Sequence, residues 1–412
     1  MSENVLDKFI RYAKIDTQSD PKSPTIPSTK KQFDLAHILV KELKDMGIKD
    51  VELTDECYIY ATIPSNIEGG SQLPAVGFVC HMDTSPDFNA TGVNPQIVKN
   101  YQGGDIQLGT SREYIFEKDN PNLKKCIGHT IITTDGSTLL SSDDKSGVSA
   151  IMKMAEILMS DDSIKHGTVK IGFTPDEEIG RGADKFDIEK FGCEYAYTID
   201  GGLPGEINKE TFSADSAVIT VIGNEIHPGE AKDRMVNSIR VISEIIAKLP
   251  RDMAPETTEG YEPYIHPHEV DARVGVSSLL LLFRDFKTEG LAVQKEIVEK
   301  IIAEVQPNYP KAKIDLVVTK SYRNMYDVLM ENPKGLDLLY KAAEKAGTNP
   351  EWEPIRGGTD GSRLTEMGLP TPNIYTGGQN FHSNKEWLSL DFLEKTIETM
   401  INLVELWGQE GK

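Results

Sequence analysis

The sequence contains few cysteines, and their spacing matches neither a disulfide framework nor a thiolate metal site. The four residues, Cys57, Cys80, Cys126 and Cys193, include no C-x-x-C pair. A chain of 412 residues can bury a sizeable core and does not need disulfides to stabilise its fold. We therefore expect buried free thiols.

Long hydrophobic runs are also missing. No uninterrupted apolar stretch approaches the ~20 residues that a membrane-spanning helix requires. Near the N-terminus, Val5 and Phe9 recur at helical spacing, but Asp7, Lys8 and Arg11 interrupt the apolar segment that a secretion signal needs. These features predict a cytoplasmic protein without a membrane partner.

Positive charge is in short supply. Lys and Arg together number 44 against 65 for Asp and Glu, so the formal net charge is −21. Long-range repulsion of this sign opposes binding to nucleic acids and to anionic membranes, and we expect neither partner. The simplest interpretation of the acidity is a solvated surface; the alternative is a field that attracts cationic substrate groups or metal ions.

Between residues 73 and 200 the chain alternates short β-rich runs with a helical period. The predicted strands are AVGFVC at 75–80, TVKIGFT at 168–174 and YAYTI at 195–199, and residues 146–159 have helical periodicity. The same character resumes after residue 323, with two helices and the short strand PNIYT. This order predicts an α/β fold with a mixed, mostly parallel sheet and flanking helices.

The segment between these two parts has a different pattern. Its strands and helices follow the order β-α-β-β-α-β, which is typical of a ferredoxin-like α+β domain. We therefore predict two domains. Residues 1–212 and 323–412 form a discontinuous outer domain, and residues 213–322 form an inserted domain.

Side chains that can bind metals stand where the predicted strands of the outer domain end. In open α/β sheets, ligands bind beyond the carboxyl ends of the strands, so such side chains are expected to converge. The residues at these positions are His81, Asp83, Glu177, Glu178, Asp200 and His382. Two imidazoles with several carboxylates and no thiolate suit Zn²⁺ or a similar first-row ion. The pattern predicts a hydrolase with two metal ions.

Two acidic pairs each have two interpretations. Asp143 and Asp144 precede a predicted helix, where an aspartate either caps the helix or points into the crevice beyond the strands. Glu177 and Glu178 are either solvated surface residues or a metal ligand beside a proton acceptor. The other metal-capable residues around both pairs favour the functional interpretation.

Seven motifs in the chain resemble the dizinc exopeptidase family that includes glutamate carboxypeptidase and succinyl-diaminopimelate desuccinylase. They are CHMDTSPD, SSDDKSG, TPDEEIGRGA, TIDGG, IHPGEAKDRMVNS, RGGTDGS and GGQNFHS, and they follow the family order across nearly the whole chain. Each motif is weak alone, but the set is specific. The residues within these motifs most closely resemble those of the branch of the family that removes the N-terminal residue from tripeptides.

The resemblance implies two Zn²⁺ ions per subunit in the outer domain, for which Co²⁺ or Mn²⁺ can substitute. The metal ligands that it implies are His81, Asp143, Glu178, Asp200 and His382. Asp143 would bridge the ions, next to a cis peptide bond to Asp144. His81 and Asp200 would complete one ion, and Glu178 and His382 the other.

Further roles follow from the same resemblance. Asp83 would orient His81, and Glu177 would be the general base. The inserted domain would serve as a lid and for homodimerisation, with His227 stabilising the oxyanion of the tetrahedral intermediate, often across subunits. Arg356 would pair with a peptide carboxylate, and Asn380 would hydrogen-bond the peptide backbone.

Short peptides, chiefly tripeptides, are thus the expected substrates. A dipeptidase, a carboxypeptidase or an N-acyl amino acid deacylase of the same family is an alternative, because the ligands and the base would be identical. A non-catalytic peptide-binding protein on the same fold is a further alternative. Such a protein is expected to have lost a ligand, the base or the oxyanion histidine, and the sequence contains all of them.

Overall fold

The chain divides into two compact units. The structure is a computed structural model that describes residues 3–409. The first unit comprises the described residues up to Lys209, together with Asp327–Glu353 and those from Thr359 onward, and the second comprises Glu210–Tyr326 and Pro354–Gly358. The boundaries predicted from the sequence place residues 210–212, 323–326 and 354–358 in the outer domain. They lie in the second unit, where the N–H of Phe212 donates to the carbonyl oxygen of Ile355.

A six-stranded sheet forms the centre of the first unit. Its strands, in spatial order, are Asp50–Leu53, Ile59–Ile63, Val169–Thr174, Val76–His81, Tyr195–Gly201 and Asn373–Tyr375. The first two pairings are antiparallel and the other three are parallel. The prediction of a mixed, mostly parallel sheet is therefore confirmed, and its three central strands are the runs identified from the sequence.

Both faces of this sheet are covered, as the continuous apolar strands require. On one face, Phe78 stacks on Tyr197, whose hydroxyl donates to Gly335 and accepts from Trp407 Nε1. On the other face, Val79 packs in a cluster with aromatic residues. The helices of the first unit are Val5–Ala13, Gln32–Asp45, Ser142–Ser160, Ile188–Phe191, Lys334–Lys345, Asp360–Glu366 and Leu390–Gln409, together with Tyr326–Glu331, whose first residue belongs to the second unit.

Smaller β elements join the loops of the first unit. An antiparallel sheet has the strand order Gly378–Gln379, Trp387–Ser389, Ile131–Thr133 and Gln96–Val98. Two short ladders pair Ile106–Gln107 with Tyr114–Ile115, and Glu206–Ile207 with Glu351–Trp352. The four-stranded sheet matters for the site because it fixes the segment between Gln379 and Trp387, which contains His382.

The second unit is an antiparallel sheet with two helices. Its elements in chain order are Ser213–Ile222, Ser238–Lys248, Tyr264–Ala272, Val276–Asp285, Thr288–Val305 and Lys313–Tyr322. The third strand and the first lie in the middle of the sheet, and the second and fourth form its edges. Residues such as Leu281 and Val298 are buried in one apolar cluster of this unit. The predicted ferredoxin-like order is confirmed.

Two expectations from composition can be compared with the described residues. No helix between residues 3 and 409 is long and apolar enough to cross a membrane. The four cysteines are free. Cys57, Cys80 and Cys126 are buried as expected, whereas Cys193 is only half-buried.

Candidate metal centre

The metal-capable side chains of the first unit come from loops at the ends of its central strands. His81 is the last residue of its strand, and Asp200 lies next to the end of another. Glu177 and Glu178 begin the short 3-10 helix Glu177–Ile179, which follows the strand Val169–Thr174. Because three parallel strands point in one direction here, these residues meet at one edge of the sheet.

Asp143 stands between the two histidines. Its Oδ1 lies 2.9 Å from His81 Nε2, and its Oδ2 lies 3.5 Å from His382 Nε2. The backbone at Asp143 is not helical, with φ −84° and ψ 106°, although the residue belongs to the first turn of the helix Ser142–Ser160. The peptide bond between Asp143 and Asp144 is cis, as the resemblance implies. The non-helical φ and ψ of Asp143 place its carboxylate in the cluster rather than along the helix.

Glu178 and His382 form the second part of the cluster. Glu178 Oε2 lies 2.8 Å from His382 Nε2. The other ring nitrogen of His382 lies 2.9 Å from Asp87 Oδ2, which orients the imidazole as a carboxylate does for a metal-bound histidine. Nε2 of His382 therefore faces both Glu178 and Asp143.

Glu177 and Asp200 face His81 from two sides. Glu177 Oε2 and Asp200 Oδ1 each lie 3.9 Å from His81 Nε2. The main chain at Asp200 is held by Asn373, whose Nδ2 donates to the Asp200 carbonyl oxygen at 3.1 Å. His81 Nε2 is thus surrounded by carboxylates of three different segments.

Asp83 is fully buried and connects two of these segments. Its Oδ1 accepts the N–H of Glu177 at 3.0 Å, and its Oδ2 accepts the N–H of Glu178 at 3.2 Å. Oδ1 also lies 3.3 Å from His81 Nδ1. One carboxylate thereby fixes the ring of His81 and the backbone of the acidic loop.

The crowding of carboxylates shifts their protonation. Burial, followed by the charge of Asp200, raises the pKa of Glu177 well above its usual value. Burial and the charge of Asp143 raise the pKa of Glu178 to about 7. Burial acts to lower the pKa of His382, but its bonds to Asp143 and Glu178 prevail and raise that pKa to about 12. A cluster that holds protons this strongly is one that cations stabilise.

The donor set of the cluster fits metal ions. Among the described residues, two groups bring their ligand atoms within 4.8 Å of one another: His81 with Asp144 and Asp200, and His81 with Asp143 and Glu178. Glu178 Oε1 is buried and has no hydrogen-bond partner among the described residues. An unpaired buried carboxylate oxygen is costly, and a metal ion would satisfy it. Imidazole nitrogens and carboxylate oxygens without thiolates suit Zn²⁺, Co²⁺ or Mn²⁺.

Three loops around the cluster contain residues in the left-handed backbone region. They are Ser141 (φ 66°), Asp176 (φ 56°), Asn380 (φ 57°) and His382 (φ 60°). None of them is glycine, and such conformations cost about 1–3 kcal/mol each and persist only where the surrounding structure holds them. Their concentration beside the acidic cluster is typical of a functional site.

The remaining sequence-predicted residues lie in other surroundings. Asn380 is exposed, and its Nδ2 donates to Asn120 Oδ1 at 2.7 Å and to the Lys385 carbonyl oxygen at 3.0 Å. His227, in the second unit, is also exposed, and its Nδ1 accepts the N–H of Gly229 at 3.1 Å. Both residues are therefore already oriented by a nearby group.

Arg356 is held within the second unit. Its Nη1 donates to the carbonyl oxygens of Gly260 and Glu262 at 2.8 and 2.9 Å, and its Nη2 donates to Thr258 Oγ1 at 2.8 Å. The guanidinium also lies over the ring of Phe212, at 5.1 Å from the centroid. These contacts, which the sequence did not indicate, tie residues 258–262 to the segment 354–358.

Further acidic residues support the centre, and the sequence predicts a role for only one of them, Asp360, which lies in a loop that resembles a substrate-holding loop. Asp87 contacts His382, and Asp144 accepts the N–H of His81 at 3.4 Å. Asp360, in the motif RGGTDGS, accepts a hydrogen bond from Thr174 Oγ1 at 2.6 Å, and burial raises its pKa to about 6. Glu386 accepts hydrogen bonds from the loop that leads to Asp143 and from the N–H of Asp143 itself. Asp87, Asp144 and Asp360 lie in the motifs CHMDTSPD, SSDDKSG and RGGTDGS, so the sequence could have indicated that they belong to the site. Glu386 lies outside the seven motifs.

The α/β fold and the cluster of metal-capable residues together define a metal-dependent hydrolase. The chain belongs to peptidase family M20/M25/M40, whose model matches residues 141–406. The resemblance seen in the sequence motifs is therefore confirmed, and the protein is an enzyme of the peptidase class.

Within this family, the chain is similar over its whole length to proteins named Peptidase T. It is 45% identical over 409 residues to Peptidase T of Clostridium acetobutylicum, with 99% of this chain and 100% of the relative covered. It is 44% identical over 412 residues to Peptidase T of Geobacillus kaustophilus, with both chains covered completely. The full coverage includes the inserted segment as well as the metal centre.

A solved structure confirms the fold. Aminopeptidase PepT from Bacillus cereus superimposes with a TM-score of 0.74 at 21% identity, and 98% of each chain is covered. The α/β architecture with an inserted α+β segment is thus shared with this structure.

Proposed function

We propose that the chain is a metallo-aminopeptidase that removes the N-terminal residue from short peptides, chiefly tripeptides. Its full-length relatives are named Peptidase T, and the sequence motifs support short peptides, chiefly tripeptides, as the substrate class. The observation that carries the chemistry is the anchoring of Glu177 and Glu178 on one buried carboxylate, Asp83. Glu178 then contacts His382, while Glu177 faces His81 at a longer distance. Two adjacent glutamates are held in different positions, as a ligand and a base require.

The proposal includes two Zn²⁺ ions, with Co²⁺ or Mn²⁺ as substitutes. The ligands would be His81, Asp143, Glu178, Asp200 and His382. Support for Asp143 as the shared ligand comes from its two oxygens, one facing each histidine. When bound, such ions polarise the scissile carbonyl and lower the pKa of water.

Glu177 is the proposed general base. Its carboxylate accepts a proton from the attacking water and later delivers that proton to the amine of the departing peptide. Its raised pKa in the absence of cations reflects burial beside Asp200. The hydrogen bond from its backbone N–H to Asp83 fixes the main chain of the loop from which the Glu177 side chain extends.

His227 is the proposed donor to the oxyanion. Its Nδ1 accepts the N–H of Gly229, so in the neutral ring the proton lies on Nε2. Nε2 is therefore the donor, and the ring is exposed on the second unit. A homodimer formed through the second unit, in which this histidine serves the partner, belongs to the same proposal and rests on family likeness.

Arg356 and Asn380 remain proposed substrate contacts. Asn380 offers an exposed amide in the loop that contains His382. The three hydrogen bonds of Arg356 within its own unit assign it a second task, the support of residues 258–262. A cytoplasmic location is also proposed, and the free state of the four thiols supports it.

A substrate panel tests the proposal. Purified protein with added Zn²⁺ is incubated with a free tripeptide, its N-acetyl form, its C-terminal amide, a dipeptide and an N-acetyl amino acid. The expected products are the N-terminal amino acid and a dipeptide from the free tripeptide, and the same amino acid and a dipeptide amide from the tripeptide amide. The N-acetyl tripeptide is the matched control and is expected to stay intact. Glu177→Gln serves as the inactive variant.

Other products would favour the alternatives. Release of the C-terminal residue indicates a carboxypeptidase, hydrolysis of the dipeptide alone a dipeptidase, and release of acetate a deacylase. No product from any substrate, with metal bound, supports a peptide-binding protein without catalysis. Each of these results would contradict the aminopeptidase proposal.

A further inference from the structure

Glu386 is a buried carboxylate surrounded by hydrogen-bond donors. Glu386 is only 1% exposed to solvent. Oε2 accepts the N–H groups of Leu140 and Ser141 at 2.6 and 3.0 Å. Oε1 accepts the Oγ–H of Ser142 at 2.5 Å and the N–H of Asp143 at 3.0 Å. Four consecutive residues thus donate to one carboxylate.

These donors belong to the loop that determines where Asp143 points. The helix Ser142–Ser160 begins here, and the first N–H groups of a helix have no partner within the helix. Ser141 has a left-handed backbone, and Asp143 has a non-helical one. Local helix geometry therefore does not fix Asp143. The bonds to Glu386 supply the constraint from outside.

The same carboxylate reaches the second half of the cluster through its own chain segment. Glu386 lies four residues after His382 and directly before the strand Trp387–Ser389. That strand pairs with Ile131–Thr133, so the position of Glu386 is fixed by a sheet. Glu386 consequently joins the segment of His382 to the segment of Asp143, which are separated by more than two hundred residues in the chain.

We propose that Glu386 is a positioning residue that orients the Asp143 carboxylate between His81 and His382. Through this orientation, Glu386 determines the metal affinity of the centre. The inference rests on the proposed function for the identity of the ligands. Among the described residues, Asp143 is the only proposed ligand that forms a hydrogen bond with the Glu386 side chain, and it does so through its backbone N–H. It acts through the loop and not on the substrate.

The chemistry of the carboxylate predicts the effect of replacing it. A carboxylate has two acceptor oxygens, whereas a glutamine amide has one acceptor oxygen and an NH₂ group that only donates. In Glu386→Gln, one pair of loop donors therefore faces another donor. The loop is then expected to change conformation, so that the Asp143 carboxylate is no longer held in one orientation. Changes in groups that orient metal ligands reduce metal affinity by about 10–100-fold.

The test compares metal binding of the full-length wild type, Glu386→Gln and a matched control. The control is Glu42→Gln, which removes a partly buried carboxylate bonded to Arg11 and Tyr12, away from the cluster's ligands. Calorimetric titration of the metal-free proteins with Zn²⁺ measures affinity. The absorption spectrum of the Co²⁺ forms reports ligand geometry, which a purely structural loss of stability would not alter. Circular dichroism and melting temperature establish that each variant is folded.

The expected result is a ~10–100-fold weaker Zn²⁺ affinity and an altered Co²⁺ spectrum for Glu386→Gln, with both unchanged for Glu42→Gln. Equal affinity and an identical spectrum in a folded Glu386→Gln would overturn the inference. If that variant does not fold, Ser142→Ala decides, because it removes a single donor. A smaller fall in affinity in the same direction supports the inference, and no change refutes it.

The outcome is distinguishable from failure of the proposed function. A wild type that binds metal but hydrolyses no peptide contradicts the aminopeptidase proposal, while a weakened Glu386→Gln would still establish the positioning role. An active wild type with an unaffected Glu386→Gln contradicts only the role of Glu386.

Discussion

Asp83 accepts the backbone N–H of Glu177 at 3.0 Å, so a residue two positions after one proposed ligand holds the loop of the proposed base. The Asp83 carboxylate is completely buried. It is therefore well placed to control the metal centre without binding the substrate.

We predict that Asp83→Asn lowers the metal affinity or the activity of the centre, although the side chain keeps its size and shape. The amide keeps the size of the side chain but offers one acceptor oxygen, so the N–H of Glu177 or of Glu178 loses its partner. Zn²⁺ affinity or kcat is expected to fall by about 10–100-fold. Titration of the metal-free protein and steady-state kinetics measure the two quantities. Asp55→Asn, at an exposed position, is the control; equal losses in both variants would contradict the prediction.

Glu177→Gln is expected to separate catalysis from metal binding. Glu177 is the proposed proton acceptor, whereas its neighbour Glu178, which contacts His382, is the proposed ligand. Loss of a general base typically lowers kcat by ~10²–10⁴-fold. Elemental analysis is expected to find the metal content of the wild type. Retention of near-normal turnover would eliminate Glu177 as the base, and loss of metal would make it a ligand.

Removal of metal is expected to lower the melting temperature. Ligands that bind only the folded state stabilise it, by about 2.7 kcal/mol at a concentration one hundred times the Kd. Without cations, the carboxylates of the cluster repel one another and Glu178 Oε1 is left unpaired. Thermal unfolding with a chelator, and again after Zn²⁺ is restored, measures the effect.

Asp143→Asn provides the comparison for that experiment. Its neutral side chain is expected to reduce the difference between the metal-free and the Zn²⁺-loaded protein, because both histidines face the Asp143 carboxylate. An undiminished difference would mean that the stabilising ions bind elsewhere.

Asp176 is expected to stabilise the N-terminal loop of the first unit. Its carboxylate accepts the N–H and the Oγ–H of Ser28 and the Nε2–H of Gln32. Asp176→Ala leaves these buried donors unpaired, and such losses cost about 1–3 kcal/mol. Urea unfolding, followed by circular dichroism, measures the change in the free energy of unfolding. A variant as stable as the wild type would show that water or rearrangement replaces all three bonds.

The central strands and the strand-end residues could be predicted because their signals are local. A buried parallel strand is a short apolar run, and His81 and Asp200 stand at the ends of such runs. The helix that follows Asp143 was harder to delimit. The element starts at Ser142, but Asp143 and Asp144 have non-helical backbone, so the regular helix follows them, close to the predicted start at residue 146. Contacts with Glu386 hold the irregular turn before it in place.

Other features could not be predicted because they depend on distant backbone. Glu386 binds N–H groups whose positions follow from the fold, and an isolated glutamate has no sequence signal for this role. Arg356 lies in a five-residue segment without periodicity, which joins the second unit through hydrogen bonds to residues 258–262. Sequence patterns describe elements, whereas these contacts depend on how elements meet.

The interruption of the first unit has a consequence for biosynthesis. The chain of the second unit lies entirely between Asp200 and His382, which are 182 positions apart. At ribosomal speeds of about 5–20 residues per second, roughly 10 to 40 seconds separate the synthesis of these two residues. A nascent chain therefore carries His81, Asp143 and Asp200 long before His382. Completion of the metal centre becomes a late event, which follows the synthesis of the whole second unit.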